Sequence, residues 1–317
     1  MTLLLDESNT PDTPETSTPS RSNWSRQDWV TVVVAIAALI GLLTASYPAI
    51  AQWFSAKERE GAVTGYTREV QSLPDADKQA LLENAHAYND AMPNILLTDP
   101  YTMKEAGEGR GGAWEVYEQQ LTAPDTDVMG RISIPAIDTS LPIYHGTDDG
   151  TLAKGVGHLF GSSLPVGGIG THAVLTAHTA YTNAHLFDDL DQVKIGDDFF
   201  ITVAGEKLAY RVDQIDVVLP TEINSLQLED GKDYVTLVTC TPRAVNSHRL
   251  LVRGERIDLD DAPELRNETV TDGTTAGFPW WLLWTAGGTI LITAVTLYTI
   301  RPDLAQRVRR PQRSDAE

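Results

Sequence analysis

Two stretches of the chain carry no charge. Trp29–Tyr47 reads WVTVVVAIAALIGLLTASY, and the uncharged run continues to Phe54. Trp280–Ile300, WWLLWTAGGTILITAVTLYTI, is a second such run. Each meets the roughly twenty apolar residues that a bilayer-spanning helix needs. Trp24, Trp29 and Tyr47 flank the first run, and Trp280, Trp281, Trp284 and Tyr298 cluster near the ends of the second, as interfacial aromatics do. The first run is longer than the about seven to fifteen apolar residues of a signal-peptide core and is poor in small-residue cleavage signals, so it reads as an uncleaved anchor. Arg301, Arg307, Arg309, Arg310 and Arg313 follow the second run. Basic residues stay cytoplasmic, which puts both termini inside and residues 55–277 outside.

Between the spans the pattern changes twice. Lys57–Ser72 and Asp75–Asp90 have helical character; in the second, Ala76, Ala80, Leu81 and Ala85 suggest one apolar face and Pro74 a helix start. The stretch NILLTDPYTMKEAGEGRGGAWEVY follows, and its Asp-Pro and Gly-rich run predict turns rather than a core element. From Val128 onward short apolar runs are split by Gly, Pro and Asp: MGRISIPAI, LPIYHG, HAVLTAH, DDFFITVAG, LAYRVDQIDVVL, DYVTLVTC and RLLVRGERI. Short strands with a turn every ten or so residues predict a mostly β sandwich or barrel, with one helical turn in AHLFDDLDQV. The expected organisation is a disordered cytoplasmic tail (1–28), a transmembrane helix (29–54), helices and a loop (55–127), a β domain (128–260), a linker (261–279), a second transmembrane helix (280–300) and a basic cytoplasmic tail (301–317). No internal repeat is evident.

Charge and cysteine content narrow the chemistry. The 44 acids and 24 bases give a formal charge of −20, which argues against a nucleic-acid partner. Cys240 is the only cysteine, so an intrachain disulfide is excluded and a structural zinc site disfavoured. Cys240 closes the apolar run DYVTLV and stands two residues before Pro242, which places its thiol at a strand terminus. A nucleophilic thiol needs a nearby cation or a His. Seven histidines compete: His86, His145, His158, His172, His178, His185 and His248. His178 ends a run much as Cys240 does, but these patterns do not choose between His178 and His248. His248 and Arg249 are adjacent, so on a strand only one of them shares a face with Cys240.

TLVTCTP followed by HRLLVRG resembles the active-site signature of sortases, TLxTC with a downstream Arg. MGRISIPAIDTSLPIYHGT, KGVGHLFGSSLPVGG, HAVLTAH and HLFDDLDQVKIGDDFFI resemble further blocks of class C, the pilin-polymerising sortases, and the likeness runs in order over about residues 60–260. It implies an eight-stranded β-barrel with N-terminal helices and a lid loop, flanked by two transmembrane helices. It also implies Cys240 as nucleophile, His178 as the general acid and base, and Arg249 as the oxyanion partner. Asp99, Pro100 and Tyr101 correspond to the Asp-Pro-aromatic motif of the lid. The reaction implied is cleavage of LPxTG-like signals between Thr and Gly through a thioester, then transfer to a pilin Lys. No metal or organic cofactor is required; the partners would be pilins, other LPxTG-like surface proteins and membrane lipid. A housekeeping sortase, a hydrolytic cysteine peptidase and a non-enzymatic surface module are the alternatives. Residues 262–279 hold no LPxTG-like pentapeptide, so the second span is not itself a sorting tail. The chain departs from the class pattern in reading HTA where HRG is usual and CTPRAVN where CTPYGIN is common; its lid aromatic is Tyr rather than Trp or Phe.

Overall fold

The computed structural model describes residues 24–91, 97–102, 111–181, 184–222, 224–262 and 276–300. The predicted tails at 1–23 and 301–317, and most of the predicted linker, lie outside these residues. The chain divides into two units, one of 1–45 with 284–317 and one of 46–283.

In the first unit, the N-terminal part of helix α1 (Arg26–Ser72) and most of helix α5 (Trp280–Ile300) are apolar and unburied. Both helices are long and apolar enough to cross a membrane. A Cβ at Gly288 would come within 2.7 Å of Leu42 Cδ2, so a glycine is what lets the two helices approach there.

The second unit is a closed barrel with strand order β1-β2-β3-β4-β7-β8-β6-β5. The strands are β1 (Val128–Ile134), β2 (Thr139–His145), β3 (Val156–His158), β4 (Thr171–Thr176), β5 (Asp198–Val203), β6 (Glu206–Val218), β7 (Asp233–Thr241) and β8 (His248–Ile257). β2 with β3 and β4 with β7 run parallel; the other pairs are antiparallel. All the strands expected from the apolar runs form. β3 was not among them, because it is three residues long inside a Gly-rich stretch. Gly157 is required there: a Cβ would lie 2.3 Å from the Gly146 carbonyl oxygen.

Helices close one side of the barrel. Arg59, Val63, Tyr66 and Val70 of α1 recur at helical spacing and are buried. Tyr66 Oη donates to Met129 O at 3.1 Å and accepts from Ala204 N at 2.9 Å, fixing α1 to β1 and to the β5–β6 turn. Helix α2 (Asp75–Ala91) starts after Pro74 as expected, and its Asn89 amide pairs with both the N–H and the C=O of Leu164. Helix α1 continues without interruption through residues 54–57, where the sequence suggested a boundary.

One expectation is corrected. Residues 94–117 were read as turns, yet Gly112–Glu118 forms helix α3 and buries Trp114 and Tyr117 in the main core. The Gly-rich run ends at the helix start, and the two aromatics, three residues apart, then present one apolar face. Helix α4 (Asp149–Lys154) is capped by the Asp148 carboxylate, which accepts from Gly150 N and Thr151 N.

Tyr117 anchors a fully buried polar centre. His158 Nε2 faces Ser163 O at 2.8 Å, so Nε2 carries the proton and Nδ1 accepts from Tyr117 Oη at 2.9 Å. Gly146 N donates to the same hydroxyl at 3.0 Å. Burial pulls the His158 pKa down to about 4.

Candidate active site

Strand parity separates an inside from an outside. On β7, Val235 and Leu237 belong to the main core, whereas Val238 belongs to a second cluster with Leu159, Val174, Leu226 and Leu251. On β8, Leu250 and Val252 face the main core and Leu251 the second cluster. On β4, Ala173 and Leu175 face the main core and Val174 the second cluster. Side chains two apart on a strand share a face. Cys240 therefore falls in with Val238 and Arg249 with Leu251, on the outer surface, while His178 lies two residues past the end of β4.

Register pairs two of the three directly: Cys240 stands opposite Arg249 across the β7–β8 ladder. The parallel β4–β7 ladder ends at Thr176 opposite Val238. Ala177 N donates to Val238 O at 3.2 Å just past that end, and His178 follows it, with its ring 5.6 Å from that of Tyr101. His248 pairs with Thr241 and takes the other parity, so Arg249 is the one of that pair on the Cys240 face. Thr239 points inward and donates to Ala177 O at 2.8 Å, a packing role.

The predicted lid residues cover this site. Asp99 forms a bidentate ion pair with Arg249, Nε–Oδ1 and Nη2–Oδ2 both at 2.8 Å, and both residues are buried. Pro100–Thr102 is a short 3₁₀ turn. Tyr101 lies with its ring 4.8 Å from the Arg249 guanidinium carbon and donates from Oη to Ala177 O at 2.7 Å. Tyr101 and Leu97 pack on the outer apolar cluster. Cys240, at a strand end as expected, is consequently only 7% exposed.

The thiol and the imidazole are both held in their neutral forms. Burial pushes the Cys240 thiol up and the Asp99 carboxylate adds to this, while Arg249 and a hydrogen bond from Tyr101 pull it back. Burial pulls the His178 imidazole down, and the Asp149 carboxylate works against that. At neutral pH the pair is thiol and neutral imidazole. Two rings contact His178: Tyr101 at 5.6 Å and Tyr181, stacked at 5.4 Å with 7° between planes.

Three features escaped sequence reading. Tyr181 follows His178 by three residues and had no pattern to mark it. Asp188, within the segment read as a helical turn, is buried and accepts from Ala180 N and Leu186 N, both at 2.9 Å. Arg243 reaches the Asp188 carbonyl, Asp189 and Asp191. The departures in HTA and CTPRAVN also acquire a geometry: Ala180 and Ala244 stand where those patterns carry Gly, and both have left-handed φ, 57° and 65°. Among the described residues no group of three His, Cys, Asp or Glu side chains could hold a metal ion.

A closed mixed barrel thus carries a lone thiol directly opposite an Arg on its outer face, with a His against the same Tyr101 ring, an arrangement suited to acyl transfer through sulfur. A family model for the sortase domain matches residues 132–257. The chain is similar to a solved sortase C-1 from Actinomyces oris, with 46% identity and a TM-score of 0.55 over 58% of this chain and 99% of that one. It is also similar to a solved sortase A from Corynebacterium diphtheriae, with 46% identity and a TM-score of 0.57 over 64% of this chain and 95% of that one. Sortase A of Bacillus anthracis is 30% identical over 130 residues, 41% of this chain, and the match spans 60% of that protein's length. The chain belongs to the sortase family, and class C sortases are among its structural neighbours.

Proposed function

We propose that the chain is a membrane-anchored cysteine transpeptidase of class C, acting on LPxTG-like sorting signals. The observation that carries this is Cys240 directly opposite Arg249 on β7 and β8, with Tyr101 over both and its ring against His178. The Cys240 proton passes to His178, and the sulfur adds to the Thr carbonyl of the Thr–Gly bond. Arg249 donates to the developing oxyanion, a charge-assisted interaction that strengthens as charge appears. The tetrahedral adduct collapses to a thioester as imidazolium returns its proton to the departing Gly amine. A neutral pilin Lys amine then adds to the thioester, His178 takes the amine proton, and the Cys240 thiolate leaves, giving an isopeptide bond. No redox step or cofactor enters.

Asp99, Pro100 and Tyr101 act as a lid. With Asp99 holding Arg249 Nε and Nη2 and Tyr101 over the site, the Arg is neutralised and covered, and the thiol stays protonated. Opening releases Arg249 and admits water and substrate. The two apolar helices anchor the enzyme with the barrel outside and both termini in the cytoplasm. Substrates whose signal sits just above their own membrane span then meet the enzyme in two dimensions, which raises effective concentration.

The test uses the full-length chain in detergent, an LPxTG-type peptide and a pilin Lys amine, with Cys240→Ala as control. Mass spectrometry reads the acyl-enzyme and the product. An adduct and isopeptide in the parent alone support the proposal. Transfer only to a cell-wall precursor amine would indicate a housekeeping role. Transfer only to water would indicate a peptidase. No adduct, even with Asp99 and Tyr101 both changed to Ala, would overturn the acyl-transfer reading.

A further inference from the structure

His178 needs external support. Strand β4 ends at Thr176, two residues before it, and among the described residues no hydrogen bond reaches its ring. Its backbone is tied by Phe187 N, which donates to His178 O at 3.1 Å, and by the Asp188 carboxylate, which accepts from Ala180 N. The loop contains Ala180 at φ 57°, a left-handed conformation that a residue with a Cβ disfavours. The loop after Cys240 is similar: Ala244 has φ 65° and Asn246 φ 57°. Both loops therefore hold backbone that relaxes unless the surroundings over-determine it.

Arg243 joins the two loops. It sits three residues past Cys240, and its Nη2 donates to Asp188 O, to Asp189 Oδ1 at 3.1 Å and to Asp191 Oδ1 at 3.2 Å. The same Asp188 whose carbonyl accepts from Arg243 holds Ala180 N through its carboxylate. The connection runs Cys240 strand end, Arg243, Asp188, Ala180, His178. The ion pairs are about half exposed, so their contribution to stability is small. A displacement of the imidazole by about 1 Å, however, costs on the order of a hundredfold in rate. The effect of this contact is on geometry.

We propose that Arg243 is a positioning residue that latches the Cys240 loop to the His178 loop and so fixes the thiol–imidazole separation while the lid opens and closes. Its catalytic consequence rests on the transpeptidase reading above. The latch itself does not, and two measurements on the full-length chain in detergent separate the two. The first is amide hydrogen exchange in parent, Arg243→Ala and Arg243→Lys. Ala180 and Phe187 amides should exchange about tenfold faster in Arg243→Ala than in the parent, those of β7 and β8 should not change, and Arg243→Lys should lie between. Unchanged exchange at Ala180 and Phe187 overturns the latch, whatever the activity. The second is steady-state turnover of an LPxTG-type peptide. Arg243→Ala should lower kcat about tenfold with KM within about twofold and Tm within about two degrees, with partial recovery in Arg243→Lys. Faster exchange together with unchanged kcat removes the catalytic role of the latch. An inactive parent with faster exchange in the variant contradicts the function reading and leaves the latch supported.

Discussion

His158 and His178 are both kept neutral by burial, in two regions built on different terms. His158 lies at the barrel core with every polar atom of its ring engaged by Ser163 O and Tyr117 Oη. Those partners belong to the fold and do not move without unfolding it. His178 stands on the outer face, half-buried, with aromatic rings for neighbours and its polar atoms unengaged by described residues. One of those rings, Tyr101, belongs to the segment that the Asp99–Arg249 ion pair and the Tyr101 hydrogen bond to Ala177 O hold in place. A titratable group surrounded by permanent partners serves stability. One surrounded by removable partners is available for chemistry.

The sharpest way to break this comparison is to truncate each ring. His178→Ala should lower kcat by on the order of a thousandfold and leave the melting temperature nearly unchanged, because it removes proton transfer and no buried hydrogen bond. His158→Ala should instead lower the melting temperature strongly, since it leaves a cavity in the core and strips Ser163 O of its donor. Turnover kinetics paired with calorimetry read both. A large melting shift in the first variant, or none in the second, would erase the distinction.

The next largest effect is in pH. Because the folded-state pKa of His158 is about 4 against an ordinary 6.5, its contribution to stability is complete above pH 6.5 and is lost as pH falls through 4. The shift corresponds to about 3 kcal/mol in the folding equilibrium. Burial also pulls His145 and His172 down, which acts in the same direction. Denaturant unfolding measured between pH 7 and 4 should show this loss, and His158→Gln should flatten the curve. An equally steep curve in the variant would assign the acid sensitivity to other groups.

The smallest expected effect concerns the lid. Asp99→Ala with Tyr101→Ala should raise the rate of Cys240 alkylation at pH 7 by about tenfold, because it re-solvates the thiol, removes the Asp99 charge that pushes its pKa up and frees Arg249. Equal alkylation rates in parent and variant would mean that the ion pair and ring do not govern access, and the contrast between the two histidines would rest on their hydrogen bonds alone.

Much of the barrel was legible because β periodicity is local. The apolar runs marked all the strands except β3, whose three residues carry too few alternations to register. Helix α3 was missed for a related reason: seven residues after a Gly-rich run give weak periodicity, and it is Tyr117 packing on His145, His158 and Phe160 that stabilises it. Cys240 was singled out by being the only thiol, and the adjacency of His248 and Arg249 said that one of them must face away. Which one did so awaited the β7–β8 register.

The sequence by itself determined the two apolar spans, the strand-rich middle of the chain, the position of the lone cysteine at a strand end and the family motifs around it. These are properties of residue type and short-range spacing. Tertiary structure alone decided that Arg249 stands directly opposite Cys240 and that Tyr101 packs against both Arg249 and His178. It also decided that Asp99 crosses 150 residues to close on Arg249, and that Arg243 reaches Asp188 rather than solvent. Pairing between distant strands, and the burial that keeps thiol and imidazole neutral, arise only when the barrel closes and brings those segments into contact.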